Sequence, residues 1–181
     1  RELEKVLEDI REISERLEKR NRDVLKELED IYREAKKRLD DVLRKLKETY
    51  DRAEEELRRK VRDEKKLRDI VRELRDLLRR HEEDIRRIKK ELDDELRRHE
   101  EDIERIRRRN EEALRELTKL IDKVDVSELR KDLRKLAEDN RRSLEENKKE
   151  ITESLKEVEK VLERNKDEIR KSKERVDKAL E

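Results

Sequence analysis

The amino-acid sequence predicts an all-α protein, an antiparallel three-helix bundle or coiled coil of long, nearly straight helices. Apolar residues recur in steps of three and four along most of the chain, which is the spacing of one helix face. The 181 residues include no Gly and no Pro, which excludes turn-rich α/β and all-β domains. Core positions also recur every eighteen residues, and eighteen residues make about five whole helical turns.

The apolar stripe of the first helix begins at Leu3, Leu7 and Ile10. The stripe is narrow, with about two apolar positions in seven, as in the seam of a coiled coil. Helices of this kind are marginally stable alone, so we expect them to pack against one another. The eighteen-residue recurrence combines a left-handed repeat of seven with a right-handed repeat of eleven, and it therefore predicts little supercoiling.

Two breaks divide the stripe into three segments of nearly equal length. In the clearer break, KVDVSELRK, Ser127 is the expected N-cap and Glu128 lies just inside the next helix. In the weaker break, KVRDEKKL, Asp63 is the expected cap. The prediction is a single elongated domain over 1–181, with helices at about 1–62, 64–124 and 127–181.

The region around Asp63 leaves two arrangements open. If the chain turns there, it forms a monomeric rod about 90 Å long. If the helix continues, residues 1–123 form a rod of roughly 185 Å, and two copies cross antiparallel as in a domain swap. The missing Gly, Pro, Asn and Ser favour the continuous helix. The equal segment lengths and the gap in the stripe between Val61 and Leu67 favour the turn, so we expect a monomer and keep a homo-oligomer as the alternative.

Polar residues interrupt the apolar stripe at matched positions. Facing residues of antiparallel helices have a constant sum of residue numbers, which is 131 for the first two helices and about 246 to 250 for the last two. Histidine and tyrosine each occur twice, eighteen residues apart. The pattern predicts three buried polar layers. They are Asn21 with Asn110 and Asn140; Tyr32 and His99 with Asn147 or Ser154; and Tyr50 and His81 with Asn165 or Ser172.

These layers are expected to specify register. A buried polar group without a partner costs roughly 1–3 kcal/mol, whereas hydroxyl, imidazole and amide groups that satisfy one another avoid most of that cost. A slipped register would place each polar group against an aliphatic side chain. The alternative interpretation is that these are chance polar positions on long, tolerant helices.

The sequence argues against most biochemical classes. It has no glycine loop, no Ser/His/Asp set and no cysteine, so we expect no catalysis, no small-molecule substrate and no cofactor. His81 and His99 lie about 27 Å apart along one helix, so we expect no metal site unless an oligomer brings histidines together. The 57 basic and 56 acidic residues are evenly mixed, which argues against nucleic acid. No long apolar run predicts a membrane span, and no targeting signal indicates a location.

The chain resembles de novo designed helical bundles, particularly those generated from parametric equations with buried hydrogen-bond networks. The resemblance rests on the Leu/Ile/Val core, the Glu/Lys/Arg/Asp surface, the eighteen-residue period and the repeated Tyr–His–Asn layer. It implies a stable structural scaffold with no natural substrate or enzymatic activity. Natural spectrin-like or myosin-like coiled coils are the alternative origin, although such chains rarely lack Phe, Met, Trp, Gly and Pro together.

Three functions therefore remain open from the sequence. The first is a structural scaffold, and the second is an interaction module that assembles with itself or binds another helix. The third is a pH-responsive device, because burial in apolar surroundings favours the neutral form of histidine. In that case acidification would destabilise the fold.

Overall fold

The computed structural model describes residues 2–180, apart from the side chain of Ala179, and it shows an all-α three-helix bundle. The helices are α1 (Glu2–Lys60), α2 (Glu64–Leu120) and α3 (Val126–Leu180). They pack against one another, and no strand occurs within residues 2–180. The predicted fold class is therefore confirmed, including the reversal of the chain near Asp63.

The residues of the bundle group into two compact units. The first unit comprises Arg1–Ile31 and Asp94–Glu153, and the second comprises Tyr32–Asp93 and Ser154–Glu181. Each unit contains a part of all three helices and has its own buried side chains. The single elongated domain expected from the sequence stays a prediction.

The core of the first unit begins at Val6, which is fully buried. The sequence pattern placed its beginning at Leu3 and Leu7 instead. Leu3 and Leu7 are each 44% exposed, so the predicted start of the apolar stripe is wrong. Neighbouring residues point about 100° apart on a helix, and the face that continues into the core contains Val6 and Ile10. The buried cluster contains Val6, Ile10, Leu114, Leu117, Leu129 and Leu133.

In the second unit, ion pairs between α1 and α2 keep a constant register. Their residue numbers always add up to 129, as expected for antiparallel helices. The fully buried residues of this unit include Leu39, Leu46, Leu57 and Ile85. The pairs are Lys36–Asp93, Asp40–Lys89, Lys47–Glu82 and Glu54–Arg75.

α1 and α3 run parallel in each unit. In the first unit Glu27 pairs with Lys148, and in the second unit Arg38 pairs with Glu159. The residue numbers differ by 121 in both pairs. Exposed pairs of this kind each contribute about 0–1 kcal/mol, so their value here is that they report the register.

The first connection is a three-residue turn that depends on Asp63. Val61 N still donates to Leu57 O at 2.9 Å, which ends α1. Asp63 Oδ1 accepts from Lys65 N at 3.1 Å and from Lys66 N at 3.4 Å, so Asp63 is the N-cap of α2. No residue within 2–180 has a positive φ, which explains how the chain reverses without glycine.

We expect the Asp63→Ala substitution to lower the free energy of unfolding by about 0.5–2 kcal/mol, because two amide groups at the start of α2 lose their acceptor. Chemical denaturation monitored by circular dichroism measures this change. Asp69→Ala is the matched control, since Asp69 is an exposed aspartate further along the same helix. Equal losses in the two variants would contradict the capping role.

The second connection differs from its prediction. α2 ends at Leu120 and α3 begins at Val126, so Ser127 lies inside the first turn of α3 and is not its N-cap. Asp125 precedes the helix, and its carbonyl accepts from Leu129 N at 3.1 Å. Val124 and Val126 pack against the buried cluster of the first unit, and this packing starts the helix earlier than the serine signal indicated.

Candidate functional site

The structure buries most of the polar residues that the sequence assigned to layers. Each side chain is supplied by a helix position that continues the apolar stripe, so helix packing buries it together with its leucine neighbours. Ser154 differs, because it is half-buried. The buried members are Asn21, Tyr32, Tyr50, His81, His99, Asn110, Asn140, Asn147, Asn165 and Ser172.

In the first unit, an asparagine pair joins α2 and α3. Asn110 Nδ2 donates to Asn140 Oδ1 at 2.9 Å, and both residues are buried. Their residue numbers add up to 250, the value read from the sequence. Asn21 makes no hydrogen bond to this pair, because neither of its amide atoms has a hydrogen-bond partner within residues 2–180. Asn21 and Asn110 line the same small cavity, and the expected meeting of the three asparagines in one layer stays a prediction.

A second polar pair of the first unit also joins α2 and α3. His99 Nδ1 lies 2.6 Å from Asn147 Oδ1, and Asn147 Nδ2 donates to Ser143 O at 2.9 Å. The amide oxygen only accepts, so the histidine carries a proton on Nδ1. This assignment fixes the ring orientation and uses both ends of the Asn147 amide. The expected approach of Tyr32 to His99 stays a prediction.

In the second unit, a hydroxyl pair joins α1 and α3. Tyr50 Oη lies 3.1 Å from Ser172 Oγ, and either group can donate. The sequence left Asn165 and Ser172 as alternatives for this layer, and the structure pairs Tyr50 with Ser172. Asn165 is also buried, and its Nδ2 has no hydrogen-bond partner within residues 2–180.

His81 has a neighbour that the sequence did not indicate. Its Nε2 lies 2.7 Å from Glu168 Oε2 on α3, although the atoms are not aligned as a hydrogen bond. No hydrogen bond joins His81 to Tyr50, so these two residues do not form the expected direct pair. The pH-responsive function stays a prediction, and the Glu168 carboxylate is a charged neighbour of His81 that this prediction did not include. Glu168 is three residues after Asn165 on the same helix, and this spacing places both residues on one face of α3.

Among the buried polar residues that the structure describes, Tyr50 has a pKa that its surroundings clearly change. Burial raises the pKa of Tyr50 above its ordinary value of 10.0, the Ser172 hydrogen bond acts in the opposite direction, and the Glu168 charge adds to the rise. A phenol with a raised folded pKa contributes stability that is complete below the unfolded pKa. That stability is lost as pH rises through the folded pKa.

We therefore expect Tyr50 to ionise above pH 10 in the folded chain and at about pH 10 in the unfolded chain. The Tyr32→Phe variant isolates this group, since the chain has two tyrosines. Absorbance titration of its phenolate, with and without urea, measures both values. Identical midpoints in the two conditions would contradict the burial of the hydroxyl.

Within residues 2–180, no group of three or more His, Cys, Asp or Glu side chains is arranged to hold a metal ion. A cleft of about 280 Å³ adjoins Tyr50 and Ser172. No helix in the described part of the chain is long and apolar enough to span a membrane.

Comparison with known proteins gave no match: no protein-family model, no curated protein and no solved structure matches the chain.

Proposed function

We propose that the chain is a structural scaffold, a designed helical bundle without enzymatic activity, whose buried polar pairs specify the register of its helices. The observation that carries this proposal is that buried polar side chains pair between different helices. Asn110 with Asn140 and His99 with Asn147 join α2 to α3, and a tyrosine–serine pair joins α1 to α3.

The physical reason is that these pairs change the relative energies of alternative registers. A neutral hydrogen bond adds only about 0.5–1.5 kcal/mol to stability. An aliphatic stripe with an eighteen-residue repeat, by contrast, permits several packed registers of similar burial. A shifted register would leave the amide of Asn140 and the amide of Asn147 against leucine or isoleucine. The polar pairs therefore disfavour wrong registers more than they stabilise the right one.

The composition supports the designed origin. The chain lacks Gly, Pro, Cys, Met, Trp and Phe, and 62% of its residues are Asp, Glu, Lys or Arg. This composition matches the rules of helical design, which fill cores with Leu, Ile and Val and surfaces with charged helix formers.

The test compares the chain with a variant in which all the buried polar residues are replaced by leucine or isoleucine. Cysteines at Arg38 and Glu159, which form an α1–α3 ion pair of the second unit, carry spin labels because the chain has no native cysteine. We expect one narrow distance distribution in the parent chain. In the variant we expect additional distances from slipped registers.

The matched control exchanges core leucines for isoleucine and keeps every polar residue, so it perturbs the packing without removing a pair. It should retain the single distance of the parent chain. A single, unchanged distance in the leucine and isoleucine variant would contradict the register function. An enzymatic activity detected in the parent chain would contradict the scaffold proposal.

A second candidate function is self-assembly, which the exposed leucines of the first unit favour. Leu3, Leu7 and Leu120 are 44%, 44% and 43% exposed, so they offer apolar surface to a second copy of the chain. Light scattering coupled to size exclusion separates the two functions. The scaffold proposal expects a mass of 22.5 kDa, and twice that mass supports assembly.

A further inference from the structure

Asn21 on α1 is the least satisfied polar residue of the first unit. Its side chain is only 3% exposed, and neither Oδ1 nor Nδ2 has a hydrogen-bond partner within residues 2–180. A buried carboxamide offers two donor hydrogens and an acceptor oxygen, and leaving them all unpaired is unfavourable. A partner for this amide is therefore required.

A small cavity of the first unit adjoins this amide. Its wall contains neutral polar residues (Ser14, Asn21 and Asn110), charged residues (Glu18, Arg107 and Glu111) and apolar residues (Leu17 and Leu114). The space open to the centre of a water molecule is about 10 Å³, which is close to the size that holds one water.

The walls of the cavity offer the contacts that a bound water needs. Buried waters make about three hydrogen bonds to polar groups that are otherwise unsatisfied. Asn110 Nδ2 uses one of its two hydrogens on Asn140 Oδ1, so its second hydrogen is free to point elsewhere. The Asn21 amide and the Ser14 hydroxyl add further donors and acceptors.

We propose that the cavity beside Asn21 is a binding site for one ordered water molecule, which connects Asn21 on α1 to the Asn110–Asn140 pair of α2 and α3. The water converts a two-residue contact into a layer that includes all three helices. The inference does not depend on the scaffold function, because it rests on the unpaired amide and the cavity.

Arg107 occupies the boundary between this cavity and the outer surface. Arg107, Asn21 and Glu18 line both the cavity and an open groove of the first unit. Arg107 Nη1 donates to Glu111 at 2.7 Å and Nη2 donates to Glu104 at 2.7 Å, so both arms of the guanidinium are held. These carboxylates, with a smaller contribution from Glu18, raise the pKa of Arg107. We infer from this position that Arg107 slows the exchange of the bound water with solvent.

The test is water-selective NMR on the full chain. We expect cross-peaks between water and the Asn21 side-chain amide hydrogens, with the NOE and ROE signs of a long-lived bound water. They should weaken in Asn110→Leu, and in Asn21→Leu the Asn110 side-chain amide should lose its own cross-peaks to water. A crystal structure should also show a density peak roughly 2.7–3.2 Å from polar atoms of Asn21 and Asn110. Missing cross-peaks from the assigned Asn21 amide, or a direct bond from Asn21 to Asn110, would overturn the site.

The exchange rate of the bound water tests the role of Arg107 separately. Arg107→Ala should increase the exchange rate of the bound water several-fold while the cross-peaks remain. Arg105→Ala is the control, since Arg105 lies on the same helix in an exposed pair with Asp102. An unchanged rate in Arg107→Ala, or an equal increase in both variants, would overturn this part of the proposal.

Discussion

Replacing Leu28 by alanine is expected to lower the free energy of unfolding by about 2–5 kcal/mol, the largest effect of any single substitution considered for this chain. Leu28 lies on α1 in the first unit and has no exposed surface. The substitution removes buried methyl groups and leaves a space that rigid helices fill only in part. With 29% hydrophobic residues, the chain has few other side chains that can compensate.

Leu7→Ala provides the matched control for this prediction. Leu7 is on the same helix and in the same unit, but it is 44% exposed. Leucine and alanine are both strong helix formers, so the two variants differ mainly in burial. We expect Leu7→Ala to change the stability by no more than about 0.5 kcal/mol in chemical denaturation. Equal losses in both variants would show that Leu28 is not packed as described.

The second large effect is expected at the buried asparagine pair. Asn140→Leu should cost about 1–3 kcal/mol, because Asn110 Nδ2 then faces an apolar side chain and has no acceptor. Changing both asparagines to leucine should be close to neutral or stabilising, since no polar group is stranded. The double variant is thus expected to be more stable than the single Asn140→Leu variant.

A double-mutant cycle measures this coupling directly. The stabilities of the parent chain, both single variants and the double variant give an interaction energy, which we expect to lie within about 0.5–3 kcal/mol. Additive effects, with the double variant losing the sum of both single losses, would mean that the two amides do not depend on each other. The hydrogen bond between Asn110 and Asn140 would then contribute nothing to the register of α2 and α3.

The helices and their order were predictable because the relevant signals are local. Steps of three and four between apolar residues define a helix face, and Asp63 has the side chain that a helix start requires. The asparagine pair was predictable as well, since antiparallel helices keep a constant sum of residue numbers. Asn110 and Asn140 are joined at the predicted sum of 250.

The parts that were not predictable depend on side-chain direction and on packing between helices. The contact between Glu168 and His81 was not predictable, because carboxylates are usually exposed, yet this carboxylate reaches the buried His81 ring. Ser127 has the chemistry of an N-cap, but the packing of Val126 against the first core placed the helix start one residue before it. In both positions a tertiary contact outweighed a local preference.

The constant register of the ion pairs allows the helices to be lengthened or shortened together. Pairs of α1 and α2 add up to 129 and pairs of α1 and α3 differ by 121, so an insertion in one helix alone would separate every pair beyond it. Eighteen residues inserted into each helix at corresponding points would instead keep every side chain on its face, because they make about five turns. Each such step adds roughly 27 Å of helix, so a graded series of longer and shorter relatives is accessible from the same set of contacts.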